Sequence, residues 1–246
     1  MFSILKLEFL KNFMKEDFSP LEKQIKIKFK NIQLIHNAFV HRSYLNEHKD
    51  YNGGSNERLE FLGDAVLEFI VSQYLYETFP DKEEGVLTAY RSALVCSKSL
   101  SKISKELDFG KYLLLSKGEE QSGGRTRPYI LGNTFEAVLG AIYLDQGLEN
   151  AKGFVHKFLL PELEEIIANQ EYKDPKSELQ ELTQEKVNVT PHYDVLDEKG
   201  PDHNKWFQVG VFINKKRIGI GEGKSKQIAE QIAAKDALTT WPGTID

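Results

Sequence analysis

Covalent cross-links have no place in this sequence. Cys96 is the single cysteine in 246 residues, so no disulfide can close within the chain, and a reducing compartment such as the cytoplasm suits it. Preceded by the apolar run Ala93-Leu94-Val95, that cysteine reads as core filler rather than as a nucleophile. Long hydrophobic runs are missing too, and nothing reaches the length that spans a bilayer. The opening stretch MFSILKLEFLKNFM is apolar but broken by Lys6, Glu8 and Lys11. It lacks the uninterrupted core and small-residue cleavage site of a secretory signal, and reads as an amphipathic helix docking on its own domain. There is no excess of positive charge: the formal net charge is -5, so any nucleic acid would have to be attracted by a local basic face. Neither GxxxxGK[ST] nor HExxH occurs, which removes the nucleotide phosphate loop and the helical zinc motif.

What is present is a soluble, core-forming composition, 40% hydrophobic and 28% charged, in a chain long enough for two domains. Residues 1–170 run in helical periods, with apolar-striped stretches at 59–79, 86–107 and 129–145 and little strand-like alternation. This part is expected to be all-α. The pattern changes after EIIANQEYKDP. Asp174 followed by Pro175 is a helix start, a cap residue and then proline in the first turn, and SELQELTQEK continues it. PHYDVL and WFQVGVFIN then alternate, the latter with Phe207, Val209, Val211 and Ile213 on one face. Asn214 and Lys215 suit a hairpin turn before KRIGIGEG, and SKQIAEQIAAKDAL returns to a helical period. Residues 174–246 thus form a small α+β unit in the order α-β-β-β-α.

NERLEFLGDAVL, residues 56–67, places too many acids in a core-like helix. Glu57, Glu60 and Asp64 lie at i, i+3 and i+7, within a wedge of about 60°, and Glu68 extends the stripe. Like charges so spaced repel, more so when desolvated. A second helix, YILGNTFEAVLGAIYL, carries the single charge Glu136, with Asn133 one turn before it on the same face. An unpaired buried carboxylate costs several kcal/mol or protonates. Glu60 and Asp64 facing Asn133 and Glu136 would make an all-oxygen cluster of the kind Mg²⁺ or Mn²⁺ prefers. Alternatively, the stripe is a solvated face neutralised by Arg58, Arg91 or a lysine.

NERLEFLGDAVL strongly resembles the signature of bacterial ribonuclease III. The likeness continues, in order and spacing, through HNAFVHRSYLNEH (36–48), FPDKEEG (79–85), SGGRTRPYILGNTFEAVLGAIYLD (122–145) and the C-terminal segment. It implies a helical endonuclease domain over 1–170 with Glu60, Asp64, Asn133 and Glu136 as the metal site, Asp64 and Glu136 being catalytic and Glu136 indispensable. Glu57 and Glu84 would be supporting acids at its edge. The implied reaction is hydrolysis of double-stranded RNA by a metal-activated water, with Mg²⁺ bound and Mn²⁺ able to substitute. It leaves 5′-phosphate and 3′-hydroxyl ends, and its substrates would be ribosomal and other RNA precursors. The resemblance also implies a homodimer in which Phe61 plugs into the partner subunit. One departure matters: the family usually has Asp where this chain has Asn133, which removes one negative charge from the cluster.

The second unit is not basic overall, with ten Lys and Arg against twelve Asp and Glu over 174–246. Lys215, Lys216 and Arg217 do cluster at the hairpin, and Lys224 and Lys226 stand where the last helix begins. A helix N-terminus offers free N–H groups and a favourable dipole to phosphate, although such clusters are also common on plain solvated faces. SELQE, GPDHNKWF and GEGKSKQIAEQIAA resemble the double-stranded-RNA-binding domain. By that likeness Ser177, Gln180, Glu181 and Gln184 face one minor groove, His203 reaches the next, and Lys224, Ser225 and Lys226 grip the phosphates between. Such domains read A-form shape rather than base sequence. Gln227 stands where a further Lys or Arg is frequent, and one lost phosphate contact lowers the salt slope by roughly 0.7–0.9. Arg125 and Arg127 in SGGRTRP stand in a neighbourhood that the family uses near the RNA backbone. Two other functions fit parts of the pattern, a catalytically silent RNA-binding scaffold and a helical metal-dependent hydrolase of small nucleotides. Retention of nearly all the acids counts against the first, and the RNA-reading unit counts against the second.

Overall fold

A helix that is apolar on every side must be surrounded, and Pro128–Gln146 (α9) is that helix, with eleven of its nineteen residues buried. Pro128 starts it, where a missing N–H costs nothing, and Gly147 at φ 82 ends it. The computed structural model describes residues 17–201 and 205–244; the expected N-terminal helix and His203 lie outside them. The described residues divide into two compact units, with the break after Tyr172.

In the first unit the elements before α9 are α1 (Ser19–Ile25), α2 (Ile32–Ala38), α3 (Tyr44–Glu47), α4 (Glu57–Thr78), α5 (Glu84–Leu94), α6 (Ser97–Glu106), α7 (Phe109–Tyr112) and α8 (Lys117–Gln121). A 3₁₀ turn at Gly124–Thr126 leads into α9, which α10 (Leu148–Phe158) and α11 (Glu162–Ala168) follow. Helices α2, α4, α6 and α10 pack around α9. Asp145, near its C-terminus, accepts the backbone N–H groups of Lys30 (2.9 Å) and Asn31 (2.8 Å) and so fixes the start of α2. Extended pairing among the described residues of this unit is confined to an isolated parallel bridge, Val40 to Leu114.

The stretch 86–107 reads as one helical period but folds as two helices, broken at Val95–Cys96. Cys96 is extended, with ψ 156, and its thiol and the Ser99 hydroxyl both donate to the Ala93 carbonyl, at 3.2 and 3.0 Å. Short polar side chains that satisfy a freed carbonyl compete with the helix ladder.

The second unit contains α12 (Pro175–Val187), β1 (His192–Lys199), β2 (Trp206–Ile213), β3 (Lys216–Gly223) and α13 (Lys226–Thr240). The strands form one antiparallel sheet in the order β1-β2-β3. Asp174 caps α12 by accepting from Lys176 N, and Asn214 turns the β2–β3 hairpin at φ 53. Val209, Val211 and Ile213 are buried and Phe207 is half-buried. Leu179, Val211, Ile213, Ile218, Ala233, Ala234 and Ala237 form the core.

Candidate active site

Helices α4 and α9 cross where each carries a glycine. A Cβ on Gly63 would stand 1.8 Å from the Glu136 carbonyl oxygen, and one on Gly140 would stand 2.3 Å from that of Leu59. Only glycine allows such backbone approach. The crossing brings Glu60 and Asp64 of α4 alongside Asn133 and Glu136 of α9. Asn133 Nδ2 donates to Glu60 Oε1 at 2.8 Å, which leaves the Asn133 carbonyl oxygen as an acceptor.

The charges here are unbalanced. Burial pushes the Glu136 carboxyl up to about 8, and repulsion from Asp64, Glu60 and Glu68 adds to it. Glu60 is also raised, first by burial, with the Asn133 hydrogen bond opposing and Glu57 and Asp64 reinforcing. Arg91 of α5 takes up only Glu68, its Nε 2.8 Å from Oε2, while its Nη1 donates to Ser72 at 2.8 Å. Arg42 stands 3.8 Å from Glu57. Among the described residues, Glu60, Asp64 and Glu136 have no ion-pair partner. Nor do any three Asp, Glu, His or Cys side chains among them close on one point at ligand spacing, as expected of like charges without a counter-charge. An all-oxygen set carrying surplus negative charge fits a hard divalent cation.

The two supporting acids part company. Glu57 opens α4 beside Glu60 and accepts from the Ser55 hydroxyl at 2.9 Å. Glu84 opens α5, where its carboxylate accepts from Thr88 at 3.1 Å, and it is not among the groups acting on Glu60 or Glu136. Arg125 and Arg127 have structural employment. Arg125 donates to the Gly110, Lys111 and Leu113 carbonyls and pairs with Glu120. Arg127 pairs with Glu119 and donates to the Ser122 carbonyl and hydroxyl. Together they fasten the glycine-rich loop. Phe61 is 80% exposed on α4, which excludes an intrachain core position, and a hollow beside it is lined by Leu34, Gly53, Gly54, Leu62 and Leu144.

Three residues without an assigned role stand next to the acids. His41, Arg42 and Tyr129, with Asn56, Glu57, Glu60, Ile130 and Asn133, line a cavity of about 260 Å³. HNAFVHRSYLNEH contained the first two, but a lone His-Arg pair carries no spacing signal of its own.

In the second unit Ser177, Gln180, Glu181 and Gln184 all lie exposed on α12, opposite the buried Leu179 and Thr183. Gln184 Nε2 donates to Asn188. Ser225 is the N-cap of α13, its hydroxyl accepting from Ile228 N at 3.2 Å. Lys224 and Gln227 are exposed. Lys226 Nζ is 3.6 Å from Glu198 and 5.6 Å from the Phe207 ring centroid.

Residues 31–163 match the family model described as ribonuclease-III-like, and residues 175–240 match the double-stranded RNA binding motif. The chain is 50% identical over 222 residues to ribonuclease 3 of Oceanobacillus iheyensis, covering 90% of this chain and 97% of that protein. It is 50% identical over 223 residues to ribonuclease 3 of Geobacillus kaustophilus, covering 91% and 90% respectively. Among solved structures, the nuclease domain of ribonuclease III from Campylobacter jejuni is 38% identical with a TM-score of 0.55, over 59% of this chain and 99% of that one.

Proposed function

Because the chain belongs to the ribonuclease III family and carries a double-stranded-RNA-binding motif after its nuclease domain, we propose that it is a Mg²⁺-dependent endoribonuclease. It cuts double-stranded RNA and leaves 5′-phosphate and 3′-hydroxyl ends. The reading rests above all on the Gly63–Gly140 crossing, beside which the Asn133 amide donates to Glu60, and Glu60 and Asp64 lie near enough to Glu136 to raise its pKa. None of these three carboxylates has an ion-pair partner among the described residues.

Glu60, Asp64, Asn133 and Glu136 hold the ion. When bound, Mg²⁺, or Mn²⁺ in its place, supplies an activated water and neutralises charge on the phosphoryl and leaving oxygens, so no nucleophilic side chain is required. The Asn133 amide steadies Glu60, and Arg91 offsets part of the Glu68 charge. Asp64 is exposed, which leaves the cluster open on the side from which a duplex arrives.

The α12 face of Ser177, Gln180, Glu181 and Gln184 meets a minor groove. His203 serves the next groove, and Lys224, Ser225 and Lys226 meet the phosphates between. Ser225 contributes there by shaping the helix start, since its hydroxyl already caps α13. Two copies of the chain work together, with Phe61 of each inserted into the other. A region involved in dimer formation is described for the Campylobacter jejuni nuclease domain, and 80% exposure of Phe61 suits the same use. The substrates are ribosomal and other RNA precursors in the cytoplasm. Among the described residues no helix is long and apolar enough to cross a membrane.

The test is digestion of a duplex and of its separated strands with Mg²⁺, followed by end-group analysis. Cleavage confined to the duplex, with products sensitive to a 5′-phosphate-dependent exonuclease, is expected. Equal cleavage of single strands, or 5′-hydroxyl ends, contradicts the reading.

A further inference from the structure

The cavity beside the acids has two unlike walls. One is acidic or amidic, made by Glu57, Glu60 and Asn133; the other is made by His41, Arg42 and Tyr129. At about 260 Å³ it falls just below the roughly 300–1,000 Å³ that encloses a drug-sized ligand. It therefore suits one sugar–phosphate unit rather than a stacked base.

His41 is built into its wall. Its backbone N–H donates to the Leu114 carbonyl at 3.1 Å. Its Nδ1 lies 3.3 Å from the donating Ser43 N–H and 2.8 Å from the Ser43 hydroxyl, and that hydroxyl accepts from Ser116 N at 3.0 Å. With Nδ1 accepting, the ring proton of the neutral imidazole must sit on Nε2. Burial, the largest influence on this ring, lowers its pKa, so the neutral form prevails around pH 7. Arg42 is committed to little: its side chain is 73% exposed and 3.8 Å from Glu57. Tyr129 is half-exposed in the first turn of α9, on the helix that carries Asn133 and Glu136.

We propose that the His41–Arg42–Tyr129 wall binds the RNA backbone phosphate next to the one being cut, with Arg42 as its cation and the His41 Nε2–H as a directed donor. The proposal rests on the duplex-cutting reading above and adds a positioning site to it. The phosphate held here sets the register of the strand against the acids. A guanidinium and a neutral imidazole N–H suit an anion whose oxygens accept hydrogen bonds. Neither group suits a metal already surrounded by carboxylates.

Three substitutions test it in the full-length protein. His41→Asn keeps an acceptor near Nδ1 for Ser43 but removes the Nε2–H, whereas His41→Gln keeps an N–H near the Nε2 position. Arg42→Gln removes the cation. Duplex affinity is measured in Ca²⁺ across a salt series, and cleavage in Mg²⁺, with thermal unfolding as the control for folding. Arg42→Gln is expected to weaken duplex binding about tenfold and to lower the salt slope by roughly 0.7–0.9. His41→Asn should lower kcat/KM about tenfold, and His41→Gln should recover most of it. Folded variants with wild-type affinity, salt slope and kcat/KM would overturn the proposal. Loss in both His41 variants alike would assign the ring a structural role and overturn the donor assignment. A wild-type protein that binds duplex but does not cut it would defeat the nuclease reading alone, and the Arg42→Gln salt slope would still decide whether the wall holds a phosphate.

Discussion

Glu136 carries the sharpest electrostatic consequence at the scale of a single residue. Its folded pKa is raised from 4.5 to about 8 by burial and by neighbouring acids, so the folded chain binds its proton more tightly than the unfolded chain does. The associated stability is fully present below pH about 4.5 and is lost as pH rises through about 8. Without divalent ions, the thermal unfolding temperature is therefore expected to fall as pH rises across that window. Glu136→Gln should flatten the fall, and so should added Mg²⁺. A wild-type profile that matches the Gln variant would show that the Glu136 proton is not held in this way. Asn133 carries a second prediction. Its amide oxygen can ligate but brings no charge, so Asn133→Asp should lower the Mg²⁺ concentration for half-maximal cleavage several-fold. A metal titration that leaves the midpoint unmoved would show that the missing charge does not matter. That Glu60, Asp64 and Glu136 lie near one another was legible in the sequence, because a carboxylate inside an apolar helical period must be paired, protonated or bound to a cation, and Asn133 followed from its place one turn before Glu136. His41 and Tyr129 were not legible, since their part depends on a cavity shared by segments far apart in the chain.

At the scale of elements, the site is a property of how α4 and α9 touch. The Gly140 Cα hydrogens stand where any side chain would strike the Leu59 carbonyl at 2.3 Å. Gly140→Ala must therefore push the helices apart, at a cost of about 1–3 kcal/mol from overpacking. Denaturant unfolding should show the lower midpoint, and cleavage should fall further than stability does because the acids separate. An unchanged midpoint would mean that the crossing is not tight. Helix periods and the α-β-β-β-α order could be read directly, since apolar spacing follows from which face is buried. The break at Val95–Cys96 could not, because the apolar period runs through it and only the bonds to the Ala93 carbonyl reveal the turn. The basic residues show the same limit. Arg125, Arg127 and Lys226 look free in sequence, but the structure gives each an acidic neighbour of its own.

At the scale of the whole molecule, α4 leaves Phe61, Phe69 and Tyr76 exposed at 80%, 54% and 75%, and large exposed apolar groups in a row point to an interface. Phe61→Ala should weaken self-association roughly a thousandfold, as expected for loss of two buried aromatic anchors, one from each copy, worth about 2 kcal/mol apiece. Sedimentation at graded concentrations would reveal it, and a variant as dimeric as the wild type would remove Phe61 from the interface. The activity as a whole, however, depends on whether the carboxylates gathered beside the Gly63–Gly140 crossing hold the ion that cuts RNA. Digestion of a long perfect RNA duplex by the full chain with and without Mg²⁺, beside Glu136→Gln, decides it. Short duplex products are expected only with the metal and only from the wild type, with duplex binding retained by the variant. Retained binding without cutting, in both Mg²⁺ and Mn²⁺, would refute the nuclease and leave the chain an RNA-binding scaffold.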